Sequence, residues 1–241
     1  MARKFILLIT LILFVLSLGA VPAWSNEDEK IAKELTVILR ASRAVLVQNK
    51  PLIKNPSSAG IDVDKFLQFT YANYEKTTKN KFKISGGNLG KAQGMLVDAI
   101  KGVVGDVVSG KDKDLDPKGR FLPAIFARKA ATRFGEISGG KMYLKLTTRD
   151  DYLVNQSNKA DEWEKGVIED KFMKTDWENG KTFSEVSKHN GNDAFRLILP
   201  EYFKAGCMGC HGGDNGAKIH PGKKGGTVGE LGGAISVAIY K

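Results

Sequence analysis

Gly139-Gly140-Lys141-Met142-Tyr143-Leu144-Lys145-Leu146-Thr147 is where the pattern of the chain changes. Before the glycine pair, apolar residues recur every three or four positions. After it, Met142, Leu144 and Leu146 alternate with Tyr143, Lys145 and Thr147. The first spacing belongs to helices with one buried face, the second to a strand with one buried face. A chain that passes from one to the other is built from a helical part and a sheet part.

Reading outward confirms the switch. Upstream, Ile31, Leu35, Ile38, Ser42, Val45 and Leu46 mark one face of a helix over residues 28–49, which Pro51 is expected to stop. Asp62 or Asp64 suits the cap of a second helix carrying Phe66, Phe69 and Tyr74. Gly86-Gly87 precedes a third amphipathic stretch, residues 89–108. The lysine–aspartate run at residues 111–118 reads as an exposed loop. Pro123 then opens a helix to Phe134, with Ile125, Phe126 and Ala130 apolar. Downstream, residues 161–177 return to helical spacing, and short strand-like runs follow at 183–186, 194–199 and 234–240. Helices first and a small sheet afterwards give an α+β class, with the helical part at about 28–135 and the sheet part at about 140–241.

Inside the sheet part lies Cys207-Met208-Gly209-Cys210-His211, which holds both cysteines of the 241-residue chain and one of its three histidines. Covalent c-type haem attachment requires this arrangement. Each thiol adds across one vinyl group of the porphyrin, and the imidazole beside the second thiol is left under the iron. The rival chemistries fit less well. A redox dithiol has no use for the histidine. Structural zinc needs four ligands, and His189 and His220 stand at spacings that complete no second pair. A disulfide between Cys207 and Cys210 would close a tight, strained ring. The expected cofactor is one covalent haem c, attached through Cys207 and Cys210, with His211 as the iron ligand. No catalytic residue is assigned.

The N-terminus tests this expectation, because covalent haem attachment takes place outside the cytoplasm. Arg3 and Lys4 form a basic head, an uncharged apolar run covers residues 5–20, and Ala23-Trp24-Ser25 supplies small residues where a signal peptidase reads. The run is shorter than the roughly 20 residues of a membrane span. Residues 1–25 are therefore expected to be a signal peptide cleaved before Asn26, with residues 26–241 a single domain in the periplasm and no stable membrane span after cleavage. Cleavage removes Arg3 and Lys4 and no acid, so 37 basic residues fall to 35 against 27 acids, about +8. That charge favours acidic redox partners or anionic surfaces. The lysines are scattered, without the aromatic interleaving of a nucleic-acid surface, which argues against such a partner.

The segment Pro200-Glu201-Tyr202-Phe203-Lys204-Ala205-Gly206-Cys207-Met208-Gly209-Cys210-His211-Gly212 resembles that of a single-haem c-type family with a PAS-like fold. That family was long catalogued as a domain of unknown function; it occurs as stand-alone exported proteins and as sensing parts of kinases and chemoreceptors. Arg40-Ala41-Ser42-Arg43-Ala44-Val45, Phe121-Leu122-Pro123-Ala124-Ile125-Phe126-Ala127-Arg128 and Gly229-Glu230-Leu231-Gly232-Gly233-Ala234-Ile235-Ser236-Val237 are similar as well. Asn155, Asn158, Asp161, Trp163 and Glu164 match the family's asparagine-rich element, although Val154 and Gln156 replace its usual arginine and proline. The resemblance implies a PAS-like antiparallel sheet, with Arg149 or Arg196 as a substitute base for a haem propionate. In a known member the iron is held by the motif histidine and a distant cysteine; this chain has no third cysteine.

The distal iron position is therefore open to His189, His220, Met95, Met142, Met173 or water. His220 lies nine residues after His211 in a glycine-rich stretch, residues 212–233, and reads first as a surface histidine. The methionines sit in apolar-periodic segments, where packing is their ordinary role. A weak or replaceable distal ligand is expected, since residues 40–47 contain no His, Met or Cys. Three functions follow in order: electron transfer, extracytoplasmic redox or gas sensing through a separate signalling partner, and peroxidase-like catalysis, for which His189 with Glu185 is the one hint.

Overall fold

The computed structural model describes residues 24–241, less the side chain of Asn215. The expected signal segment lies outside the described residues up to position 23. Trp24 and Ser25 are the first described residues: Trp24 packs on the helical core beneath the Lys241 ammonium, 4.8 Å from its ring centre. The Ser25 N–H and hydroxyl donate to Asp28 at 2.8 and 3.1 Å.

Five helices come first: α1 (Asn26–Gln48), α2 (Lys50–Lys54), α3 (Val63–Thr78), α4 (Gly87–Val108) and α5 (Pro123–Ile137). The stripe of α1 behaves as its spacing requires, with Ile31, Leu35, Ile38, Ser42, Val45 and Leu46 all buried. Each aliphatic side chain of that stripe contributes about 1.5–3 kcal/mol over its exposed state. The burial is two-sided, because α1 packs on α3, α4 and α5 and also on the sheet. Pro51 has a different role from the one its type suggests. α1 already ends at Asn49, whose side-chain amide donates to the Val45 carbonyl at 2.7 Å. Pro51 sits in the first turn of α2, where a missing N–H costs nothing. Asp62, not Asp64, caps α3 by accepting from the Lys65 N–H at 2.8 Å. The charged run after α4 is pinned to α5, with Lys129 Nζ 2.8 Å from Asp112 and 2.9 Å from Asp114.

The sheet part contains β1 (Met142–Thr147), α6 (Glu162–Val167), β2 (Phe183–His189), β3 (Asn192–Tyr202), α7 (Met208–His211), α8 (Gly213–Ile219) and β4 (Leu231–Tyr240). The four strands are antiparallel in the order β1-β4-β3-β2. With eight α-helices among the described residues, the class is α+β, as expected. One face of the sheet presents Leu144, Phe195, Leu197, Leu199, Ile235 and Val237 to the helical layer. The other packs Ile198, Leu231 and Ala234 on Val167, Ile168 and Phe172. Covering both faces explains why the middle of β3 is one continuous buried run. The helix expected over residues 161–177 is shorter: α6 passes into a single π-turn, Ile168–Phe172, and stops there.

β2 and β3 are joined by Asn190-Gly191, with φ +51° and +81°, the geometry of a two-residue hairpin turn. At the other end of β3 the register shifts between Glu201, opposite Gly233, and Tyr202, opposite Leu231. The extra residue, Gly232, makes a bulge that re-aims the strand just before the cysteine motif. Among the described residues no helix is long and apolar enough to cross a membrane.

Candidate metal centre

The motif is held by the strand that precedes it and by the first helix. Arg40 Nη2 donates to the Pro200 carbonyl at 2.9 Å, Arg40 Nε donates to Glu201, and Arg43 Nη1 donates to Glu201 at 2.8 Å. This clamp ties α1 to the end of β3. A short 3-10 turn, Ala205–Cys207, then presses the chain against α1. A Cβ at Gly206 would stand 2.6 Å from Val47 Cγ1, so glycine is what allows that approach. α7 carries the rest of the motif, and both thiols are free and half-buried. Cys207 Sγ accepts from the Lys204 N–H at 3.4 Å.

The glycine-rich segment folds back over this turn. Gly226 N–H donates to the His211 carbonyl at 2.5 Å, and Gly213 N–H donates to the Gly226 carbonyl at 3.1 Å. Phe203 explains why the segment needs glycine. Its ring is buried against Gly226 and Gly232, where an added Cβ would come within 2.3 and 2.7 Å of ring carbons. Phe203 also exchanges backbone hydrogen bonds with Gly229 and Glu230. Glu230 in turn accepts from the Thr227 N–H at 3.2 Å and pairs with Lys224.

His211 neighbours two rings. Phe203 lies 5.5 Å away, centre to centre, with planes 26° apart; His220 lies 5.8 Å away, with planes 29° apart. Burial pushes the His211 imidazole below its ordinary pKa, and His220 and Arg43 push the same way. Burial, then Arg120, lowers that of His220. Arg120 is held at Asp116, and Cys210 lies within its field. The Nε of Arg43 is buried without a hydrogen-bond partner. The cluster thus offers two thiols, two neutral imidazoles and two guanidinium groups. No three His, Cys, Asp or Glu side chains among the described residues gather closely enough to hold a bare ion.

A family model described as Tll0287-like matches residues 29–239, which include the clamp, the motif and the returning segment. The chain belongs to the Tll0287-like family. Membership is compatible with a cytochrome-like function. No curated protein and no solved structure matches the chain.

The Tll0287-like chain brings together only part of the predicted set. Cys207, Cys210 and His211 share one turn by sequence adjacency, and His220 joins them instead of standing apart on the surface. His189 does not. It closes β2 opposite Asn192, so the 11 residues of β3 separate it from the motif end, roughly 33 Å at about 3.3 Å each. Its ring is buried against Tyr240 and Tyr143. Glu185 meets the Trp163 indole instead, so the pair that hinted at catalysis does not form. Met142 is in the core at the same far end, Met95 packs on the helical core, and Met173 is exposed beyond the π-turn.

Both of the bases suggested from the sequence are paired with acids. Arg196 is bound to Asp161 at 2.6 Å on the outer face of the sheet. Arg149 pairs with Asp151 and lies over Tyr152. Arg43 and Arg120 take the positions beside the motif instead. Arg43 was visible in the sequence as the second arginine of Arg40-Ala41-Ser42-Arg43; nothing local marks Arg120. The asparagine-rich element also has a structural occupation. Asn155 and Asp161 cap the turns they precede, and Trp163 lies 4.1 Å from the Arg196 guanidinium.

Proposed function

We propose that this chain is an exported, single-domain c-type haem protein that transfers electrons, with one haem c attached through Cys207 and Cys210 and His211 on the iron. The observation that supports it most is the cluster itself: two free half-buried thiols and an adjacent imidazole, flanked by guanidinium groups. The donor set fits the group. Thiols suit the vinyl additions, a neutral imidazole suits iron, and the unpartnered Nε of Arg43 is a donor awaiting an acid such as a propionate. A bound haem supplies one-electron redox chemistry.

The protein's own part is positioning and burial. Phe203 supports the His211 ring, and the Arg40–Glu201–Arg43 clamp fixes where the motif starts. The close approach of Gly206 to Val47 seats the start of the motif on α1. In this reading residues 1–25 direct export to the periplasm, residues 26–241 are the working domain with a PAS-like sheet, and the net positive charge selects an acidic redox partner.

The test is covalent attachment. Full-length protein made with a c-type maturation system, denatured and run on a gel, is expected to stain for haem peroxidase activity. Cys207→Ser or Cys210→Ser is expected to leave at most one thioether, and the double variant none. A wild-type band without stain would overturn the proposal.

A further inference from the structure

We infer that His220 is the second axial ligand, so that the iron is held between the imidazoles of His211 and His220. This rests on the haem reading above and goes beyond it by closing the distal side. The geometry carries the inference. Two imidazole–metal bonds of about 2 Å each, plus the radius of each ring, place two ligating rings roughly 6 Å apart, and these rings are 5.8 Å apart.

The backbone holds His220 in place. It closes α8, donating its N–H to the Gly216 carbonyl at 2.9 Å and accepting from the Lys223 N–H at 3.0 Å. α8 itself lies against the motif at backbone contact. A Cβ at Gly216 would stand 2.6 Å from the His211 carbonyl oxygen, so a larger residue would push α8, and His220 with it, away from His211. The distal candidates weighed from the sequence are elsewhere: His189 and Met142 at the far end of the sheet, Met95 on the helical core, Met173 exposed. A closed six-coordinate iron favours electron transfer over gas sensing or peroxide chemistry, both of which need a free position.

Spectra and haem staining of wild type, His220→Met and His220→Gly test this together. Wild type is expected to be low-spin in both oxidation states, without the weak red-edge band of methionine ligation, and to leave carbon monoxide unbound. His220→Gly is expected to keep its covalent stain, lose the low-spin spectrum, bind carbon monoxide rapidly, and regain the low-spin spectrum on addition of imidazole. His220→Met is expected to stay low-spin with that red-edge band and a raised potential. Absence of stain in wild type would defeat the haem reading itself. A stained wild type that binds carbon monoxide at once, or a stained His220→Gly with an unchanged spectrum, would defeat only the assignment of His220. If His220→Gly does not accumulate, reactivity of wild type toward carbon monoxide and the spectrum of His220→Met still decide the matter.

Discussion

At the hairpin end of β3, Arg196 donates to Asp161 at 2.6 Å and to the Lys188 carbonyl at 3.1 Å, and it faces the buried Glu164, which pairs with Lys145 at 2.7 Å. At the motif end of the same strand, the imidazoles of His211 and His220 meet each other and Phe203 instead of an acid. Both clusters hold buried polar atoms without a hydrogen bond, Arg196 Nε and Glu164 Oε1 at the hairpin end and Arg43 Nε at the motif end, so an unpartnered atom alone does not tell them apart. In charge the first is closed and the second open. Two bases answer two acids at the hairpin end. The motif end gathers two thiols and two imidazoles, and the ring neighbours of His211 are His220 and Phe203.

Breaking the closed end is the larger effect. Arg196→Ala leaves Asp161 without its close base and Glu164 with Lys145 alone, and is expected to lower stability by about 3–5 kcal/mol, the usual cost of removing one partner from a buried pair. Urea unfolding would measure it. Covalent haem yield and spectrum of the folded fraction are expected to stay unchanged, and a spectral change would show that the two ends are coupled. Gly226→Ala breaks the open end. Its Cβ would meet the Phe203 ring at 2.3 Å, and forcing the pair apart is expected to cost about 1–3 kcal/mol. Here the loss is expected to come with weaker haem retention, because Gly226 also anchors His211.

The smallest effect is local and depends on pH. The Glu230 carboxyl is held down to about 2 from an ordinary 4.5: burial alone would raise it, and Lys224, Tyr152 and the Thr227 N–H together outweigh burial. Its folded pKa is depressed, so its contribution is fully present above about 4.5 and is lost as pH falls through about 2. Amide exchange at Thr227 and Gly229 is expected to quicken over that window in wild type. Glu230→Gln is expected to exchange faster at neutral pH and to show no such step.

How much of this was legible follows from the range of each interaction. The stripes of α1, α4 and α5 and the alternation of β1 report which face is buried, and one local spacing is enough to read them. Asn190-Gly191 was equally local and marks the β2–β3 hairpin directly, a signal that strand runs alone leave unread. The first helix does end just before Pro51, as read, but that the same proline also opens α2 is decided only by the chain's path at Asn49. The cysteine motif was complete in five residues. Arg43 and His220 could be named but not placed, and the rest of the candidate site was not legible, since it depends on distant partners. Arg120 reaches Cys210 across 90 positions of sequence. The glycines at 226 and 232 looked like slack until Phe203 was seen to fill the space they leave.

The strand order has a consequence for assembly. β4 lies between β1 and β3, so it is an inner strand of the sheet, and in the chain it comes after the motif. β1 and β3 cannot be bridged until residues 231–240 insert between them, and the Phe203–Gly226–Gly232 contact cannot form earlier either. Because long-range pairing of this kind is slow, the helical layer and the β2–β3 hairpin can form while the two thiols are still on an open segment. The step that completes the sheet is also the step that closes the chain around Cys207 and Cys210. On the haem proposal, the topology leaves an interval in which the thiols are accessible for attachment, and folding itself ends it.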